Sequence, residues 1–584
     1  MRRLVTALAG LLAISALICL VAIHVSAKPN KLKPEIFDVT KFGATGDCTT
    51  ADSPGIQAAI DAAYVAGGGK VYLPRGCYRL DGAPAGKAQS LTIYGSNITF
   101  AGDGDATLLS VQKWGTLFTT KITDPITHAG FSEDIQAYIQ IFDPRGPISN
   151  VRLEHFRFIG PSSCFAGSGF NNNSLVNMQL GGPSAVPSAV VSRSGFSDIS
   201  VQHACFIAFG FNGGTNNPGD EIVCGSTSRD ANGNASAPNV NCDNYIVNNR
   251  ITDAANEAIN PFSGGHANVI AANNIIDGTG GLAIEWASMR GLIANNIITN
   301  ALGGAVAVEQ APTQTGWTTI SNNIIMNVGK SDGTHVTPAV ELGEAVGAFR
   351  VAVSGNVIRN AYGPGIVFVG GSDIIVENNT IDGFGANGVA TFQAHPHAAD
   401  PFAWVGISVL NVGKSSRVVG NWVRCLDNTV DKCDAGVQVG GGNSINSWAD
   451  RNVVSGVAIG ADTNHQPFLL SSSAGENGAG THGQPGSDIR IGTNIDLTTG
   501  TVAGPSDFTN ALGLPIIHPP TGNSFSASVG GSTAWTVAID NGVAATISEL
   551  TKGSVGQVVT LVFRGTGALS FTTHPLQRRQ CHSR

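Results

Sequence analysis

Three glutamates close short apolar runs of one pattern: Leu282-Ala283-Ile284-Glu285, Val306-Ala307-Val308-Glu309 and Pro338-Ala339-Val340-Glu341, with Glu257-Ala258-Ile259-Asn260 ahead of them. If each run is a strand, alternation turns Leu282 and Ile284 to one face and the following Glu to the other. Stacked on neighbouring strands about 4.8 Å apart, Glu285, Glu309 and Glu341 then form a carboxylate ladder, with Asn260 below it. Adjacent carboxyls about 5 Å apart suit a retaining glycoside hydrolase, and members two strands apart, at roughly 9 to 10 Å, fall near the upper end of the inverting range. A Ca²⁺ ion between them would instead neutralise a uronate and acidify its C5 proton, as elimination or epimerisation requires. His266, Arg290, Lys330 and Arg350 offer a base or a grip on substrate carboxylates, while Trp286 and Trp317 offer ring faces for sugars. No dedicated metal-ligand set stands out, and Ca²⁺ is the cofactor that the ladder admits. His395 and His397, beside Asp400, read as part of a Pro-flanked loop.

What would stack these runs is a repeat. Asn248-Asn249-Arg250-Ile251 returns as Asn273-Asn274-Ile275-Ile276, Asn295-Asn296-Ile297-Ile298, Asn322-Asn323-Ile324-Ile325, Gly355-Asn356-Val357-Ile358 and Asn378-Asn379-Thr380-Ile381. The steps run from 22 to 27 residues and lengthen once to 33, which marks a solenoid. Each unit holds two short β-branched runs bounded by Asn and Gly, so it reads as one coil of a parallel β-helix. Asn suits the corner twice over, because it tolerates left-handed backbone and its amide can bond to the same amide one coil away. Asp253, Asp277 and Asp382, after the Asn pairs, read as turn residues.

Upstream stand Phe37-Asp38-Val39-Thr40-Lys41-Phe42-Gly43-Ala44-Thr45-Gly46-Asp47, Ile56-Gln57-Ala58-Ala59-Ile60-Asp61-Ala62-Ala63 and Gly67-Gly68-Gly69-Lys70-Val71-Tyr72-Leu73-Pro74-Arg75-Gly76-Cys77-Tyr78. They read as a strand, a helix with Ser53 as N-cap and Pro54 at its first position, a glycine stop and a further strand. This segment resembles the opening of the pectate-lyase-superfamily domain, and with Leu91-Thr92-Ile93, Ser96 to Gly102 and the repeats the resemblance covers residues 36 to 460. It implies an all-β, right-handed single-stranded parallel β-helix whose open end is covered by the helix near Ile56 to Ala66. It also implies a class of carbohydrate-acting proteins: lyases, hydrolases, epimerases and tailspikes. Asp47 and Asp52 fall in the cap motif as turn and capping residues. The chain lacks the paired-Asp, Gly-His-Gly and Arg-Ile-Lys set of polygalacturonases and the Asp-Pro-His-Asp motif of alginate epimerases. Neither activity can be carried over residue by residue.

Residues 1–27 read as a signal peptide, with Arg2-Arg3, an apolar run and Val25-Ser26-Ala27 before the cut, so a secreted, periplasmic or cell-surface protein without stable membrane association is expected. Nine cysteines follow, and proximity in an exported chain suggests Cys48 with Cys77, Cys164 with Cys205, Cys224 with Cys242, and Cys425 with Cys433, leaving Cys581. The expected organisation is a cap and first coils over 36–110, a β-helix over 111–460, a Gly/Ser/Pro-rich linker over 471–520, a small β module over 521–573 and a basic tail over 574–584. The module is a candidate for homo-oligomer formation. A net charge of −8 with no dense basic stripe argues against nucleic acid.

The expected function is glycoside hydrolysis of a polysaccharide in a groove along residues 244–400. The alternatives are a Ca²⁺-assisted uronate lyase and a non-catalytic adhesin or tailspike-like fibre. Fold alone does not choose among them.

Overall fold

The computed structural model describes residues 35–80 and 91–112, most strands and corners between 118 and 497, and short strands between 501 and 571. The expected leader and tail, with Cys164, Cys205, Cys224, Cys581, His395 and His397, lie outside the described residues.

One coil shows the plan. Leu292–Ala294 runs to the Asn295-Asn296 corner, Ile297–Ala301 follows, and Val306–Val308 completes the turn of the solenoid. Each strand pairs in parallel with its equivalents one coil away: Leu292–Ala294 with Ile270–Ala272 and Thr319–Ser321, Ile297–Ala301 with Ile275–Thr279 and Ile324–Met326, Val306–Val308 with Ile284–Trp286 and Val340–Leu342. The first two stacks share a 27-stranded sheet that bends at the Asn corner, and the third is a 12-stranded sheet. Parallel pairing between coils, not between consecutive strands, makes this a right-handed parallel β-helix. The core is three aliphatic columns, one per stack: Ile293, Ile320 and Val353; Ile298, Ile325 and Ile358; Ile284, Val306 and Val340.

The Asn pair divides its labour. The first residue takes the left-handed conformation, with φ of 59° at Asn248, 58° at Asn273, 56° at Asn295 and 55° at Asn322, and glycines stand there at 355 and 420. The second residue is buried and builds the ladder. From Asn249 through Asn274, Asn296, Asn323, Asn356, Asn379, Asn421 and Asn452 to Asn494, each Nδ2 donates to the Oδ1 of the next at 2.9 to 3.1 Å. Each backbone N–H along the row donates to that same oxygen. The polar corner is thereby satisfied without water.

Coil strands continue through Arg490–Ile491 and Asn494–Asp496, which pair with the coil before them. The β-helix therefore passes residue 460 and enters the stretch expected as linker. Beyond it, Ser524–Ser528, Ala545–Thr551 and Leu569–Phe571 pair in parallel, as do Ala534–Asp540 and Val558–Arg564.

The N-terminal helix α1 spans Ser53–Val65 and buries Ile56, Ala59, Ile60 and Ala63 in the main core, against Ile36–Asp38, Gly69–Tyr72 and Leu91–Ile93. Ser53 is not the cap. It lies inside the helix and its Oγ donates to the Leu80 carbonyl at 2.8 Å. Asp52 precedes it, fully buried, and its carboxylate accepts the backbone N–H groups of Thr45 at 2.6 Å, Gly46 at 3.3 Å and Arg79 at 3.0 Å. Gly55 lets the helix approach the preceding loop, since a Cβ there would sit 2.4 Å from the Ala44 nitrogen. Asp47 serves its own turn: hydrogen bonds from the Thr50 and Thr49 backbones and the Thr50 hydroxyl hold its carboxyl well below the usual range. Disulfides join Cys48 to Cys77 and Cys425 to Cys433, two of the four expected pairs, and Cys242 is also disulfide-bonded.

Candidate functional site

The 12-stranded sheet carries a column of side chains that alternate with its core residues. Register places Thr92 beside Gln140 and, after Gly210, runs Asn260, Glu285, Ala307, Glu341, Val367, Ser408 and Gln438 on successive strands. Their neighbours Ile284 and Trp286, Val306 and Val308, Val340 and Leu342 enter the core cluster, whereas Ala307 and Val367 do not. The column therefore faces away from the core.

Glu285 and Glu341 sit two strands apart on this column, about 10 Å by strand spacing, with Ala307 on the strand between them. Asn260 Nδ2 donates to Glu285 Oε2 from the strand below. Little water reaches the row: Glu341 is 7% exposed and Asn260 8%, and Glu285 is partly buried. A further withdrawn carboxylate, Glu257, accepts from Asn256 Nδ2 at 2.6 Å. On the far side Ser408 Oγ donates to Gln438 Oε1 at 3.0 Å. The arrangement offers two carboxylates across a small gap, flanked along the axis by amide and hydroxyl groups.

Several sequence expectations change here. The rung between Glu285 and Glu341, expected to be Glu309, is Ala307: Ile284 pairs with Val306 and Val306 with Val340, which puts Ala307 in line with both glutamates. Val306-Ala307-Val308-Glu309 alternates so regularly that sliding it by two residues keeps the apolar pattern, and only strand pairing fixes the register. Glu309 itself lies outside the described residues. Trp286 does not face sugars. It is 0% exposed in the core, on the side of its strand opposite Glu285.

His266 is buried in the short strand His266–Ala267, with Nδ1 3.3 Å from Asn241 Nδ2 and its ring edge-on to Phe211. It is a wall residue, not one on the acid column. Arg290 and Trp317 lie at the corners leading into Leu292–Ala294 and Thr319–Ser321, away from the acid column. Arg290 Nε donates to Asn268 Oδ1 at 2.8 Å, and the Arg350 guanidinium lies 3.9 Å from the Trp317 ring centroid. Lys330 faces the Tyr362 ring. Among the described residues no three His, Cys, Asp or Glu side chains cluster as a metal site, and a Ca²⁺ ion on this column would fall to Glu285 and Glu341. The sequence reading missed Gln140, Ser408 and Gln438. Their signal was legible as one polar residue between two apolar ones: Ile139-Gln140-Ile141, Ile407-Ser408-Val409 and Val437-Gln438-Val439.

Residues 36–153 match the family model for "Rhamnogalacturonase A/epimerase, pectate lyase-like". Over that N-terminal segment the chain is similar to pectate lyase-like proteins. It is 47% identical over 79 residues to mannuronan C5-epimerase AlgE2 of Azotobacter vinelandii, a stretch that is 13% of this chain and 8% of that protein. It is 46% identical over 79 residues to alginate lyase 7 of the same organism, covering 13% of this chain and 9% of the relative. The chain thus spans less than a tenth of the length of either relative. A solved structure of the AlgE4 A-module of A. vinelandii covers 75% of this chain and 100% of its own, at 16% identity and a TM-score of 0.45.

Proposed function

We propose that the protein is an exported polysaccharide-modifying enzyme whose substrate lies along the outward column of the 12-stranded sheet, and that it cleaves glycosidic bonds with inversion. The observation that carries this reading is the placement of Glu285 and Glu341 on one column, two strands apart, with Ala307 between. One carboxyl protonates the leaving oxygen while the other takes a proton from a water attacking the opposite face of the sugar. Glu285, already fixed by an amide donor from Asn260, is assigned as the base and Glu341 as the acid. Asn260 fixes Glu285 from the strand below, while Ser408 and Gln438 are buried, bonded to each other, and brace the column beyond Glu341.

A second reading, elimination or epimerisation of uronates with Ca²⁺ at the same carboxylates, is favoured by the 46 to 47% identity of a short stretch to an alginate lyase and a mannuronan epimerase. The two readings part on product chemistry. Incubating the chain from Lys28 onward with neutral and acidic polysaccharides is expected to yield new reducing ends without unsaturated-uronate absorbance. Absorbance abolished by chelator would transfer the site to the lyase reading, a change of uronate C5 configuration seen by proton NMR without either signal would transfer it to epimerisation, and none of the three on any glycan would leave a binding or fibre role in its place.

A further inference from the structure

A second set of side chains stands on a different side of the solenoid. The corner leading into the strands Leu292–Ala294, Thr319–Ser321 and Ala352–Ser354 takes left-handed backbone in coil after coil. In four coils its occupant is short and polar, Asn97 at φ 63°, Asn150 at 59°, Asp243 at 58° and Asn268 at 55°, and Arg193 at 49° stands between Asn150 and Asp243. Three successive coils then place Arg290 at 53°, Trp317 at 54° and Arg350 at 55° in the same position. Left-handed backbone is costly for a residue other than Gly, Asn or Asp, and a bulky ring there is an outlier that invites a functional account. Trp317 is 50% exposed, so burial does not repay that cost.

The same side continues upward. Thr319, Ala352, Ile375, Arg417 and Trp448 are in register on the outward face of successive strands. Arg417 lies 5.3 Å from the centroid of Trp448, which is 38% exposed. Two exposed arginine–tryptophan pairs therefore line the 27-stranded sheet, a different stack of strands from the one that carries the acid column. Acidic neighbours of the band are Asp373, with Oδ2 3.8 Å from Arg350 Nε and the Ser415 hydroxyl donating to it, and Glu377 and Asp450, two residues along the same strands, Asp450 lying 3.3 Å from Arg451 Nε.

We propose that this band is a second binding surface, for an acidic polysaccharide that lies along the solenoid axis. Guanidinium groups recognise carboxylates through paired N–H donors, and an indole face stacks on the C–H face of a sugar. The repeat matches: coils rise by about 4.8 Å, close to the length of one pyranose unit in an extended chain, so Arg290 and Arg350, two coils apart, meet alternate carboxylates with the Trp317 ring between them. A neutral glycan offers the guanidinium groups no carboxylate. The inference does not depend on the acid column, because it requires binding and no turnover.

The test is affinity electrophoresis of the full chain through gels containing alginate, polygalacturonate or dextran, with single-stranded DNA as competitor. Wild-type and Glu285→Gln protein are expected to be retarded equally by the two uronate polymers, less so at high salt, and not by dextran. The Arg350→Ala/Arg417→Ala double variant is expected to lose at least tenfold in affinity. Trp317→Asn is the discriminating variant, since it installs the short polar residue type that other coils carry. It is expected to weaken uronate binding about tenfold while the melting temperature holds or rises. Unchanged binding in the double variant, equal retardation by dextran, or displacement by DNA at equal charge concentration would overturn the proposal. So would a Trp317→Asn protein that melts earlier yet binds normally, which would make the indole a packing residue. Loss of turnover in Glu285→Gln with retardation intact separates this surface from the catalytic reading.

Discussion

Glu285→Gln and Glu341→Gln are each expected to lower turnover by roughly 10²–10⁴-fold, the range that a positioned general acid or base contributes. Gln keeps the size and the hydrogen-bonding reach of Glu but neither donates nor accepts the transferred proton, so glycan binding should stay within a few fold of wild type. The double variant is expected to be little worse than the weaker single one, because an acid without its base already forfeits the concerted step. Ala307→Glu offers a geometric companion experiment. It places a carboxylate on the strand between Glu285 and Glu341, at about 5 Å from each, which fills the gap reserved for water and should depress hydrolysis even though both glutamates remain. Steady-state kinetics on the polymer identified in the panel, with binding measured separately, checks all three. Single variants that keep more than a tenth of wild-type turnover would remove Glu285 and Glu341 from the chemistry.

Asn323→Ala is expected to destabilise the solenoid by about 3–5 kcal/mol. The side chain donates from Nδ2 to Asn356 Oδ1 at 2.9 Å and to the Ile293 carbonyl at 3.1 Å, and its Oδ1 accepts from both Nδ2 and the backbone nitrogen of Asn296 at 2.9 Å. Alanine leaves the Ile293 carbonyl and the Asn296 N–H buried without those partners, and each orphan costs about 1–3 kcal/mol. The preceding residue is the internal control. Asn322 is there for its left-handed backbone, and glycines hold the equivalent places at 355 and 420, so Asn322→Gly should cost under about 1 kcal/mol. Urea unfolding followed by far-UV circular dichroism separates the two. Equal shifts for neighbours one residue apart would mean that the amide ladder carries no particular share of the stability.

The fold was legible because the Asn pair marks each coil twice, once by conformation and once by hydrogen bonding, and because β-branched residues follow it at a fixed distance. The helix Ser53–Val65 was equally plain, although the residue that organises its start is Asp52 and not Ser53. The site was half legible. Glu285 and Glu341 follow from alternation within their own strands, but Glu309 was brought in line with them by a pattern that is degenerate under a two-residue slide. Trp286 was misplaced for a related reason: composition suggests a sugar platform, and the position directly after an outward Glu dictates the core. The corner residues Arg290 and Trp317 carry no sequence sign of which side they occupy. Their side is fixed by the backbone sign at a corner, which a lone Arg or Trp does not announce as Asn or Gly does.

The measurement that bears most directly on the central claim is the configuration of the first-formed product, followed by proton NMR during the opening minutes of polysaccharide cleavage before mutarotation. Two carboxylates on strands about 9.6 Å apart stand at the upper edge of the inverting range, well beyond the retaining one, and predict the inverted anomer. A retained anomer would require carboxyl groups about 5 Å apart, and an olefinic proton would signal elimination. Either result would contradict the assignment of Glu285 and Glu341 as an acid and base pair for hydrolysis.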